Sequence, residues 1–250
     1  MPTPASSSFE RWFPGVPSHG TTPALLCLSG AGGGPGEFRA WTPALAGRVR
    51  VAAVALPGRE RRVGEDPRLP LPELVAQLSD AATPLLAQPF ALLGYSLGAM
   101  IMYEVARALP QHHRANLVHL FVGAQAAPSR PQTDCARSTD SDDTLIDYLR
   151  GLGGTPEEIL RSRPFMRPYL ACLRADLEIA ERYRYTGPAG LECPLTLFSG
   201  RRDHTTTAAD LSPWEQETRA TFRHVELPGG HFSIRTDQEA ILQEITEALT

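Results

Sequence analysis

The chain has 250 residues, a hydrophobic fraction of 42%, a charged fraction of 21% and a formal net charge of -4. Those values suit a soluble folded chain and give no electrostatic reason to expect nucleic acid or an anionic membrane as partner. All 24 Lys/Arg positions are arginine, so neither a P-loop lysine nor a pyridoxal phosphate Schiff base can be built.

The opening stretch, MPTPASSSFERWFPG, lacks the apolar core of a secretory signal, and no apolar run approaches the ~18 residues of a membrane span. Cys27, Cys135, Cys172 and Cys193 lie far apart with no CxxC pair, which predicts a reduced, cytoplasmic chain. The first apolar run, 24–29, leads into SGAGGGPG. A G-x-G-x-x-G phosphate cradle fails there in register, because Pro35 stands where the third glycine belongs. Glycines that let the backbone approach an acyl oxygen account for the loop better, with the Ala31 N–H as a candidate oxyanion donor.

A second run, 49–56, is followed by Arg59, Arg61 and Arg62, and 71–87 carries apolar residues at helical spacing. The third run, 90–95, meets a helical pattern over 97–109 at GYSLG. A serine between a strand and a helix, with glycine two positions away on each side, is the setting of a nucleophile elbow. The turn lifts Ser96 clear of the sheet, strand and helix crowd Gly94 and Gly98, and the Leu97 N–H at the helix start becomes a second oxyanion donor.

After the run 117–123 the rhythm of strand and helix breaks. The interval from about 127 to 190 opens with a polar loop, PSRPQTDCARSTDSDD, whose DSDD reads as a solvated cap of the next helix, and continues through helical patterns at 144–151, 155–161 and 164–185. It is too long for a simple crossover and reads as an inserted helical lid; ordinary packing helices would show the same periodicity. Tyr169, Leu173 and Leu177 share one side of the long helix and are candidates to line an acyl channel. Runs at 195–199 and 222–227 and a helical pattern over 237–249 complete a single α/β domain, 1–250, with a mostly parallel sheet and helices on both faces.

A serine hydroxyl needs a base, and the base needs an acid. Asp203 and His231 each follow a predicted strand, in the chain order Ser, Asp, His of α/β hydrolases. The other histidines fit less well: His224 and His119 lie inside strands, His112 and His113 follow a helix end, and His204 is too close to Asp203 to turn back onto it. No carboxylate occurs near Gln125, the rival acid position, which favours Asp203 over Asp210 or Asp134. No metal-ligand spacing is visible.

The chain as a whole resembles the type II thioesterases, the discrete α/β hydrolases that accompany polyketide and nonribosomal peptide synthases. The likeness rests on LLCLSGAGGGPGEFRAW, VAAVALPGRERR, LLGYSLGAM, LFVGAQAAP, LGGTPEEIL, LRADLEIAERYRY, CPLTLFSGRRD and LPGGHFSI. It implies Ser96 as nucleophile, His231 as base, Asp203 as acid and Ala31 with Leu97 as oxyanion donors. It also implies a thioesterase that hydrolyses acyl groups from the phosphopantetheine arm of acyl or peptidyl carrier proteins, with no cofactor of its own, and we expect a monomer. The family commonly has Pro-His at Ser29-Gly30, His at Tyr95 and often Pro at His204. Gly30 and Tyr95 are expected to border the acyl site, so these departures bear on substrate preference. The alternatives are an acyltransferase or cyclising release enzyme of the same fold, and a catalytically silent binding protein.

Overall fold

The structure is a computed structural model that describes residues 4–130 and 136–250; Asp134 and Cys135 lie outside the described residues. Six strands, β1 (Ala24–Leu28), β2 (Arg50–Ala53), β3 (Phe90–Tyr95), β4 (Leu117–Gly123), β5 (Leu195–Gly200) and β6 (Phe222–Leu227), pair in the order β2-β1-β3-β4-β5-β6, every pair parallel. Parallel neighbours require crossovers, and the helices that concern the site are α1 (Pro4–Trp12), α2 (Leu71–Leu86), α3 (Leu97–Ala108), α4 (Asp142–Leu152), α5 (Glu157–Arg161), α6 (Arg163–Arg182) and α7 (Gln238–Leu249).

Alternate strand residues face opposite layers. Leu26 and Leu28 pack with Leu78 of α2 and Met102 of α3, whereas Leu25 and Cys27 pack with Trp41 and with Ile241 and Ile245 of α7. Both faces of the sheet are therefore covered, and each fully buried aliphatic side chain contributes on the order of 1.5–3 kcal/mol. The chain runs from β1 to β2 in one direction and returns past β1 to β3 in the other. This reversal makes the carboxyl ends of β1 and β3 a topological switch point, where open α/β sheets form their crevice.

The run predicted as a strand over 49–56 pairs only from Arg50 to Ala53. Beyond it Val54 N still donates to Cys27 O at 2.9 Å, but Ala55 N donates to Trp12 O at 2.8 Å, so the chain leaves the ladder for α1.

Between β4 and β5, helices α4, α5 and α6 form an apolar cluster of their own, in which Leu145, Leu149, Leu160, Met166, Leu170 and Leu173 are buried. Ser141 caps α4, its hydroxyl accepting from Thr144 N at 3.1 Å. The far end of α6 belongs elsewhere, because Ile179 packs into the core beside the sheet.

Candidate active site

The loops after β1 and β3 meet at the switch point. β3 ends at Tyr95, and Ser96 takes φ 53° and ψ −129° before α3 begins at Leu97. A non-glycine residue in that region stores roughly 1–3 kcal/mol of strain, and its surroundings must hold it there. Ser96 N donates to Gly123 O at 2.7 Å, and Ala99 N donates back to Ser96 O at 2.8 Å. The flanking glycines are dictated by contact: a Cβ on Gly94 would stand 2.2 Å from Gly98 O, and one on Gly98 would stand 2.4 Å from Leu28 O.

His231, on the loop after β6, places Nε2 3.2 Å from Ser96 Oγ and Nδ1 3.0 Å from Asp203 Oδ2. Asp203, on the loop after β5, turns its other oxygen to Thr205, accepting from the backbone N–H at 2.9 Å and from the hydroxyl at 2.7 Å. Burial alone would raise the Asp203 carboxyl, but the hydrogen bond and charge of His231 and the two bonds from Thr205 hold it below the usual aspartate value. The carboxylate thus stays ionised and keeps the imidazole oriented with Nε2 toward the serine. Nothing in the sequence pattern pointed to Thr205, whose hydroxyl lies 3.1 Å from His231 Nδ1.

His119, His224 and the rival acid Asp210 are engaged elsewhere. His119 Nε2 pairs with Thr196 Oγ1 at 2.9 Å, His224 with Ser199 Oγ at 2.8 Å, and Asp210 closes a capping box with Thr207.

Ser96 and His231 open onto a cavity of about 50 Å³ that Gly30, Ala31, Tyr95, Tyr169, Leu173 and Leu177 also line. The residues expected to border the acyl site therefore converge on one space. The lid contributes Tyr148, Leu149 and Leu152 as well, which the sequence reading did not single out. Tyr95 does more than form a wall: its hydroxyl lies 2.6 Å from Ser233 Oγ and accepts from Ile234 N at 3.3 Å, tying β3 to the turn just after His231. Burial pushes its phenol up to about 12. Leu97 opens α3, where a first-turn N–H has no partner within its helix, and Ala31 sits in a turn closed by Gly33 N donating to Gly30 O at 2.9 Å.

The arginines after β2 and those of the insertion differ in their surroundings. Arg59 and Arg62 are buried, Arg59 against Asp176 and Arg62 against Glu65 with its guanidinium 4.7 Å from the Trp12 ring. Arg61, Arg161, Arg163 and Arg167 are exposed; Arg161 pairs with Glu157 at 2.9 Å and Arg163 with Asp143. A groove of about 630 Å³ adjoins the cavity, sharing Glu37 and Tyr169 with it and bordered by Gly32, Gly33 and the exposed Val63 and Phe165. Among the described residues no group of three or more His, Cys, Asp or Glu side chains could hold a metal ion, and no helix is long and apolar enough to cross a membrane.

A family model described as a thioesterase domain matches residues 23–249. The gramicidin S biosynthesis protein GrsT of Aneurinibacillus migulanus is 34% identical over 247 residues, 97% of this chain and 95% of its own length. Among solved structures, the type II thioesterase BorB from the borrelidin biosynthetic cluster superposes with a TM-score of 0.84 at 36% identity, covering 94% of this chain and 95% of that one. The RedJ thioesterase from the prodiginine pathway in Streptomyces coelicolor has a TM-score of 0.84 at 32% identity, over 96% and 99% of the two chains.

Proposed function

Because the chain belongs to the thioesterase family, we propose that it is a type II editing enzyme that removes acyl groups from the carrier proteins of a polyketide or nonribosomal peptide synthase, with Ser96 as nucleophile. The observation that carries the reading is the chain of hydrogen bonds from Ser96 through His231 to Asp203, at 3.2 and 3.0 Å, opening onto the cavity beneath the inserted helices.

Ser96 Oγ attacks the thioester carbon while His231 Nε2 takes the hydroxyl proton. The tetrahedral oxyanion accepts hydrogen bonds from the Ala31 and Leu97 N–H groups, and collapse expels the pantetheine thiol, which receives its proton from His231. A water molecule then attacks the acyl-Ser96 ester, His231 again removing a proton and returning it to Ser96 as the acid departs. Asp203, ionised throughout, stabilises the imidazolium formed at each proton transfer. The enzyme supplies no cofactor of its own in this scheme; the pantetheine arm belongs to the partner.

The groove at Val63 and Phe165 suits that arm, since glycine backbone walls one side of it and Tyr169 separates it from the catalytic cavity. Carrier domains are acidic around the modified serine, and the exposed Arg61, Arg161, Arg163 and Arg167 supply charge of the complementary sign. Such a role places the protein in the cytoplasm.

Mass spectrometry of acyl-loaded carrier proteins before and after incubation tests the reading. Loss of the acyl mass with release of the free acid is the expected outcome. An amide or ester product would assign the chain to acyl transfer or cyclising release, and an unchanged carrier would make it a silent binding protein.

A further inference from the structure

The longest helix of the insertion carries a buried carboxylate that the reaction scheme does not use. Asp176 on α6 is 3% exposed at its side chain, and its Oδ2 accepts from Gly32 N at 2.7 Å and from the guanidinium of Arg59, itself 4% exposed. Arg59 donates its other terminal nitrogen to Pro57 O at 2.8 Å, and one turn earlier on α6 Cys172 Sγ donates to Gly58 O at 3.1 Å. The helix is thus stitched to the loops that follow both β1 and β2. These contacts lie on the part of α6 that approaches the body of the protein, where Ile179 also packs, and they make it a fixed wall.

The Gly32 contact bears on chemistry because of what surrounds Ala31. Gly33 N closes the turn onto Gly30 O at 2.9 Å, and Gly32 has φ +74°, the positive value that a type II turn requires at its third residue. The peptide before Ala31 is held by the Gly30 carbonyl, and the peptide after it by the Gly32 N–H on Asp176. With both flanking planes fixed, the Ala31 N–H has one direction. The turn also abuts the nucleophile, since a Cβ on Gly30 would lie 3.0 Å from Ser96 Cβ.

We propose that Asp176 is a positioning residue for acyl transfer, holding the Gly30–Gly33 turn so that the Ala31 N–H meets the developing oxyanion. This rests on the reading of Ala31 as an oxyanion donor. Removing Asp176 alone would strand a buried arginine and confuse packing with positioning, whereas replacing both partners of a buried pair by neutral groups of similar size is often tolerated. The informative comparison is therefore between two double variants, R59M/D176L and R59M/D176N. Both abolish the ion pair, but only the second keeps an oxygen that can accept from Gly32 N–H.

With an acyl-pantetheine thioester as substrate, R59M/D176N should keep kcat within about threefold of the unaltered enzyme. R59M/D176L should lose about 10²-fold in kcat, the scale of one oxyanion donor, with KM within about threefold and a similar melting temperature. Equal kcat in the two double variants would overturn the proposal. Should R59M/D176L fail to fold, amide exchange on the unaltered protein decides: the Gly32 amide should exchange at least about 100-fold more slowly than an unstructured glycine, and exchange at the unstructured rate would overturn it. If the unaltered enzyme does not turn over thioester at all, or if S96A is equally active, the serine-hydrolase reading fails instead.

Discussion

Replacing Gly98 by alanine adds one methyl group at the most crowded point of the elbow. Its carbon would lie 2.4 Å from Leu28 O and 2.5 Å from Ser29 O, and both neighbours are backbone that cannot rotate away. A relaxed carbon–oxygen contact is about 3.3 Å, so α3 and the loop after β1 must separate by about 0.9 Å. Overpacking of this kind costs about 1–3 kcal/mol of stability. The larger consequence is catalytic, because Ser96 directly precedes α3 while Ala31 follows β1, so the nucleophile and one oxyanion donor move apart. A misplacement near 1 Å lowers turnover by about 10²-fold. The assay is steady-state hydrolysis of an acyl-pantetheine thioester beside thermal unfolding. We expect kcat to fall about 10²-fold in Gly98→Ala while the melting temperature drops by only several degrees. A variant that keeps its turnover, whatever its melting temperature, would refute the argument that this contact sets the geometry of the site.

Ser96→Ala and His231→Ala should each lower hydrolysis by several orders of magnitude and the double variant by little more, measured as kcat, because the two side chains act as a unit; additive losses would sink the assignment. Leu177 is buried in the insertion and lines the cavity of about 50 Å³, so Leu177→Ala should shift preference toward longer acyl chains at a stability cost of about 2–5 kcal/mol, read from a panel of acyl lengths and from calorimetry. Reversing Arg161 and Arg163 to glutamate should raise KM for acyl-carrier substrates and flatten its salt dependence while small acyl-pantetheine turnover stays constant; equal loss on both substrates would refute a docking role. Glu65 is held at about 2, below its ordinary 4.5, by hydrogen bonds from Arg62 and Arg11. Its contribution is therefore present above the ordinary glutamate value and lost as pH falls from about 4.5 toward about 2, so the melting-temperature gap between the unaltered protein and Glu65→Gln should narrow across that window.

Much of the fold was legible because its signals are local. A strand buried on both faces must be an apolar run, so β1, β3, β4 and β5 lie within a residue of the runs at 24–29, 90–95, 117–123 and 195–199, while the edge strand β6 matches 222–227 although of its residues Leu227 alone is buried. The serine elbow was equally legible, since backbone crowding leaves glycine as the side chain that fits at positions 94 and 98. Chain order and loop position drew attention to Asp203 and His231, and the structure brings both to Ser96.

What the sequence did not disclose depends on partners far along the chain. Arg59 and Arg62 follow the second apolar run beside the exposed Arg61, yet both are buried, because Asp176, 117 positions away, meets Arg59 and the Trp12 ring meets Arg62 only after folding. Thr205 could not be told from its threonine neighbours until folding brought its hydroxyl within 3.1 Å of His231 Nδ1, 26 positions along the chain. Propensity and periodicity act over a few residues and so determine elements and their exposed corners. Which charges are buried, which hydroxyl orients the acid and which carboxylate holds the turn beside Ser96 are decided when those elements pack, because a buried polar group persists only where a distant partner arrives to satisfy it.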